Sequence, residues 1–118
     1  MITEDYVSFD TAKLLKERGF EGKMHTFYTE EGTEIESAYV VPSNFFPIYR
    51  PTLQMAMKWL REVHKTEIRV IYDNDKLCWY GACNPMNESQ ILLGSGRKSK
   101  SYEEACESAI KYCLENLI

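Results

Sequence analysis

The feature that most constrains this chain is the apolar stripe near its C-terminus. Ala105, Cys106, Ala109, Ile110, Cys113, Leu114 and Leu117 recur at helical spacing without interruption. That period places them on one face of a helix, and such a face must be covered by another element. Ser101 with Glu104 has the spacing of a capping box, and Glu103 and Glu104 suit the positive end of the helix dipole.

Two further helices follow from the same signals. Ser8 reads as an N-cap for a helix over 9–18, with Phe9, Ala12 and Leu15 inward and Gly19 as its left-handed stop. Thr52, just after Pro51, caps a helix reaching Lys65, with Leu53, Ala56, Met57, Leu60, Val63 and His64 on one stripe. Strands are expected between the helices. Residues 24–29 and 34–41 flank Glu30-Glu31-Gly32-Thr33 as a hairpin, although neither face is cleanly apolar. Ile68, Val70 and Tyr72 alternate with Glu67, Arg69 and Ile71, and Asp73-Asn74-Asp75 turns the chain into a strand through Leu77–Ala82. A third strand is expected at 89–94, before the polar run Gly94-Ser95-Gly96-Arg97-Lys98-Ser99-Lys100. The expected fold is α+β: three helices on an antiparallel sheet of four to five strands, in the order α-β-β-α-β-β-β-α. The 118 residues suit a single domain.

Composition narrows the function classes. The net charge is −4, and residues 1–40 carry nine acids against four bases, a balance of −5, leaving +1 for the remainder. A surface that bound nucleic acid broadly would be basic. No apolar run approaches the ~20 residues of a membrane span, and the opening MITEDYVSF lacks the apolar core of a signal peptide. The expectation is a cytoplasmic protein that does not associate with membranes. The four cysteines are spaced C-x4-C (Cys78, Cys83) and C-x6-C (Cys106, Cys113), without the close knuckle pairs of a zinc site. They read as small core residues, reduced and metal-free. No cofactor motif is present. Only His25 and His64 offer an imidazole, and His64 reads as a capping or core-edge residue; nothing in the spacing favours a cysteine–histidine pair such as Cys78 with His64. The paired carboxylates at 30–31, 73 and 75, and 103–104 all fall at turns or helix starts.

Two residue sets are candidates for contact with a partner. The segment 42–51, PSNFFPIYRP, holds three prolines and cannot form a central strand. Phe45, Phe46, Ile48 and Tyr49, with Trp59 nearby, either pin this loop to the core or form an exposed aromatic surface for a protein partner or second copy. The other set is cationic. Lys58, Arg61 and Lys65 are spaced three and four apart, outside the apolar stripe. Arg97, Lys98 and Lys100 precede a helix N-terminus, where a phosphate or nucleic-acid strand could be held. The loop is not a Walker A sequence.

The segments PTLQMAMKWLREVHK (Pro51–Lys65) and SYEEACESAIKYCLENLI (Ser101–Ile118), with the opening ITEDYVSFDTAKLLKERGF, carry a family resemblance. Together they resemble small proteins without an assigned activity that are encoded in prophages and other mobile elements of gut bacteria. The resemblance implies no catalytic or cofactor residue. The second half, α-β-β-β-α, also resembles a double-stranded-RNA-binding domain in element order, although that domain has a lysine cluster where Glu103 and Glu104 stand here. The sequence therefore leads to a non-enzymatic accessory or protein-interaction protein of a mobile element or prophage. The alternative is a small nucleic-acid-binding module, and a small enzyme is the remote third.

Overall fold

The computed structural model describes residues 2–21, 26–36, 48–86 and 98–118. Its elements run α1 (Phe9–Glu17), β1 (Thr26–Tyr28), β2 (Glu34–Glu36), β3 (Ile48–Tyr49), α2 (Leu53–Val63), β4 (Thr66–Asp73), β5 (Cys78–Pro85) and α3 (Tyr102–Asn116). The fold is α+β, with three helices and five strands among the described residues. The strands form two antiparallel sheets, one ordered β2-β1-β3 and the other β4-β5.

Local signals set the helix starts. Ser8, Thr52 and Ser101 each sit in extended backbone and accept the amide of Thr11, Met55 and Glu104, respectively. The capping box at α3 is shifted by one residue, because the Glu104 carboxylate reaches back to the amide of Lys100 (3.2 Å). Gly19 takes the left-handed conformation after α1, at φ +88°.

The strand order departs from the sequence expectation in the first half. Ile48 and Tyr49, in the proline-rich segment, form an edge strand against β1, with Tyr28 opposite Ile48 and Phe27 opposite Tyr49. The edge position suits a strand that is followed closely by Pro51, which has no N–H to donate into a ladder. Thr26 fastens the end of this pairing, donating its hydroxyl to the Arg50 carbonyl at 2.6 Å. β1 has no clean apolar face because both faces are covered: its neighbours Phe27 and Tyr28 are both buried. The expected strand at 89–94 lies outside the described residues, but Ser99 exchanges backbone hydrogen bonds with Trp79 (2.9 and 3.0 Å) at the far edge of β5.

The core lies where α3 crosses the β4–β5 hairpin. Ala105, Cys106, Ala109, Ile110, Cys113 and Leu114 are all buried. α2 lies on β4 beside α3, and α1 packs on the other flank of α3. Glu107 ties α3 to α1, because one carboxylate oxygen accepts both the Ser8 amide (3.0 Å) and the buried Thr11 hydroxyl (2.6 Å) at the N-terminus of α1. Arg18 closes the other end, donating Nε to the Leu114 carbonyl at 3.0 Å.

Gly81 sets the closeness of this packing. A Cβ there would lie 2.6 Å from the Ala105 carbonyl oxygen and 2.7 Å from the Ala109 Cβ. The neighbour is helix backbone and cannot swing aside. Gly81→Ala is therefore expected to destabilise the fold by about 1–3 kcal/mol, the usual cost of overpacking. Urea denaturation checks this, and an unchanged midpoint would contradict the close approach.

Candidate interaction surfaces

The aromatic set divides once the chain is folded. Ile48 is only 6% exposed and belongs to the core, which corrects its placement on a partner surface. The cause is its edge pairing with β1, which points its side chain inward. Tyr49 and Trp59 are half-buried and packed on the core. Phe20 sits between them, its ring centroid 6.5 Å from Tyr49 and 5.4 Å from Trp59, both edge-on. These residues seal the side of the core at the end of α1. Phe45 and Phe46 lie outside the described residues.

The cations remain on the outside. Lys58, Arg61 and Lys65 are exposed along one stripe of α2 and its C-terminal turn. Lys65 adopts φ +52° and donates Nζ to the Glu62 carbonyl at 2.9 Å. Lys98 and Lys100 are exposed before α3, while Arg97 lies outside the described residues. Gln54 donates to the Tyr102 hydroxyl (3.2 Å), which brings the first turns of α2 and α3 together. The exposed Glu103 and Glu104 occupy that first turn of α3 and set negative charge where a phosphate would meet the helix amides.

A cleft of about 510 Å³ opens between the N-terminal segment, Arg50 and the start of α3. Asp5, Glu34, Glu103, Glu104 and Glu107 line it. The Arg50 guanidinium lies over the Tyr6 ring at 4.0 Å and pairs with Glu34 at 3.2 Å. The carboxylates outnumber the single guanidinium, so the cleft suits positive charge better than a phosphate.

The thiols are internal. Cys78, Cys83, Cys106 and Cys113 are free and buried. Cys83 donates its thiol to the Ala109 carbonyl (3.3 Å). Contact with the Cys113 thiol, together with burial, raises the pKa of Cys83, and the same contact lowers that of Cys113. Burial is the main cause pushing Cys106 up to about 11. A hydrogen bond with Cys78 comes first among the causes raising Tyr80 to about 12. His64 is the C-cap of α2 and stacks edge-on to Trp59, with ring centroids 4.6 Å apart. Among the described residues no three His, Cys, Asp or Glu side chains gather as a metal site. None of the described helices is long and apolar enough to cross a membrane.

Sequence reasoning missed the end of the β4–β5 hairpin. Ile71 is 45%, Tyr72 40% and Leu77 75% exposed. Tyr72 leans on Trp79 (4.8 Å), which meets Tyr102 edge-on (5.7 Å), so a firm aromatic stack supports the patch. Asp73 shapes the turn by accepting the amides of Asp75 (2.9 Å) and Lys76 (3.2 Å) through one oxygen. Leu77 then takes φ +53°, a conformation that glycine or asparagine adopts readily and leucine rarely does. The one signal in the sequence was a leucine where such a turn would use glycine.

No family model, curated protein or solved structure matches this chain.

The thiol environment has a pH consequence. Cys106 keeps its proton in the folded state up to about 11, whereas its ordinary value is 9.0. The unfolded chain therefore releases that proton first, and stability falls as pH rises through this interval. Thermal melts between pH 8 and 11 should show the decline, and Cys106→Ala should flatten it; an equal decline in both proteins would remove Cys106 as its source.

Proposed function

We propose that this chain is a non-enzymatic protein-interaction protein whose contact surface is the end of the β4–β5 hairpin. The single observation that carries this reading is Leu77, which is 75% exposed and held in a left-handed conformation. A β- or γ-branched side chain in that region costs roughly 1–2 kcal/mol. An apolar side chain that adds this local cost and remains in water gains nothing for the monomer, and a contact with another protein accounts for both. Ile71 on the outer face of the hairpin, and Tyr72 leaning on Trp79 on the opposite face, flank it and supply the apolar and aromatic composition of an interface. The resemblance of the α2 and α3 segments to prophage-encoded proteins supports an accessory role in a mobile element, acting in the cytoplasm of its host.

A second reading, nucleic-acid binding, is favoured by the exposed stripe Lys58, Arg61 and Lys65 and by the α2-β4-β5-α3 order with Ser99 paired beside β5. The carboxylates of Glu103 and Glu104 oppose it. If it holds, RNA or DNA shifts in a gel at low salt, and Lys58→Ala with Arg61→Ala abolishes the shift. A chain that moves neither nucleic acid at low salt excludes it.

The primary reading makes an asymmetric prediction. Leu77→Gly relieves the backbone and should leave the thermal midpoint unchanged or raised. The same change should remove captured partners in cross-linking and mass spectrometry from the host cell. Undiminished capture by Leu77→Gly would overturn the reading.

A further inference from the structure

The backbone beside this patch specifies what it would pair with. In an antiparallel pair, alternate residues direct their N–H and C=O toward the neighbouring strand, and those between direct them away. Met86 donates its amide to the Lys65 carbonyl (2.9 Å), which fixes Lys65, Glu67, Arg69, Ile71 and Asp73 as the residues bonded to β5. The far side of β5 agrees: Trp79, opposite Tyr72, bonds outward to Ser99 through both its amide and its carbonyl. The amides and carbonyls of Val70 and Tyr72 therefore point away from β5, to the other edge of β4. Among the described residues no strand pairs with that edge.

Only half of the edge is open. Thr66 and Ile68 are buried beneath the helices, whereas Ile71 and Tyr72 are exposed. Gln54, in the first turn of α2, donates to the Tyr102 hydroxyl at the start of α3, so α2 is tied toward α3. Ile71 and Tyr72 are the exposed residues that an incoming strand would meet on this edge.

The sequence of that half is self-complementary. Resting on the interaction reading above, we infer that the hairpin binds a second copy of this chain, the two β4 strands pairing antiparallel about a two-fold axis at Ile71. This register places Val70 opposite the partner's Tyr72, so that the outward amides and carbonyls of both copies satisfy one another. Ile71 meets the partner's Ile71 on the outer face of the sheet, at a non-hydrogen-bonded position where side chains come closest. Arg69 falls opposite the partner's Asp73, and Asp73 opposite the partner's Arg69. Registers one residue away on either side set outward-pointing groups against inward-pointing ones and are excluded by parity. The register two residues inward sets Glu67 opposite the partner's Asp73, and the one two residues outward sets Val70 against the partner's Asn74, in the turn beyond β4. Arg69 lies 3.3 Å from Glu67 within the chain through one edge of its guanidinium, and among the described residues its Nη1 has no partner and can bridge to the partner's carboxylate. The result is one continuous sheet, β5-β4 joined to its copy, with the helices of both copies on the same face.

The test uses the full chain in sedimentation velocity over a range of concentrations. The native protein is expected to dimerise at high micromolar concentration. Ile71→Lys and Ile71→Glu each place like charges across the axis and should weaken self-association about tenfold or more, with the melting temperature of the isolated chain retained. Mixing the two variants places an ammonium against a carboxylate and should restore a dimer. In hydrogen exchange, the Val70 and Tyr72 amides should gain protection as concentration rises. A native chain that remains monomeric overturns the second copy as occupant; the interaction reading then stands or falls separately on Leu77→Gly capture. A native dimer that both variants retain overturns the pairing at Ile71.

Discussion

Contact between the small-residue face of α3 and the β4–β5 hairpin is the constraint on which the other parts depend. Gly81 lets the helix backbone come within van der Waals distance of the strand, at Ala105 and Ala109. Dispersion falls off over fractions of an ångström, so a helix held off by one methyl loses contacts along its whole length. With α3 seated, Cys83 reaches the Ala109 carbonyl, and Ile110 and Leu114 fill the space toward α1 and α2. The cysteines serve as residues small enough for this distance and apolar enough for burial, and their perturbed acidities follow from that location.

The seated helix also organises the N-terminal half. Glu107 projects from α3 to the start of α1, where it accepts an amide and a buried hydroxyl beside the positive end of the helix dipole. The segment before α1 is in turn bonded to the start of α2, through Val7 to the Pro51 carbonyl and Leu53 to the Asp5 carbonyl. Tyr28 then donates its hydroxyl to the Val7 carbonyl (2.7 Å), which brings in the small sheet. Residues distant in sequence thus converge through backbone groups whose partners are not local.

The same packing decides what is left outside. α3 and α2 cover the inner end of the β4–β5 hairpin, and the strands are longer than the helices above them need. The outer end projects with Ile71, Tyr72 and Leu77 in water. Stacking of Trp79 between Tyr72 and Tyr102 stiffens this projection, so little side-chain freedom is lost when a partner covers it. The acidic cleft around Arg50 adjoins the first cation of α2, since Glu4, Tyr6 and Arg50 also line a second cleft with Lys58.

Helix positions, caps and the inward stripes of α1, α2 and α3 were legible in the sequence because they depend on residues within a turn or two of each other, except at Val63, which the last turn of α2 leaves 57% exposed. The β4–β5 hairpin was legible for the same reason, since its alternation and its Asp73-Asn74-Asp75 turn are local. The partner-facing roles were not. Ile48 carries the same apolar character whether buried or exposed, and only pairing with β1, some twenty residues earlier, turned it into the core. Tyr49 and Trp59 likewise became a seal because Phe20 arrived between them. Conversely, the alternation of β4 assigned Ile71 to an outer face without revealing that nothing among the described residues covers it. The sequence by itself determined which residues share a face; only the tertiary structure decided which faces are covered, because coverage depends on the length and tilt of elements that are far apart along the chain.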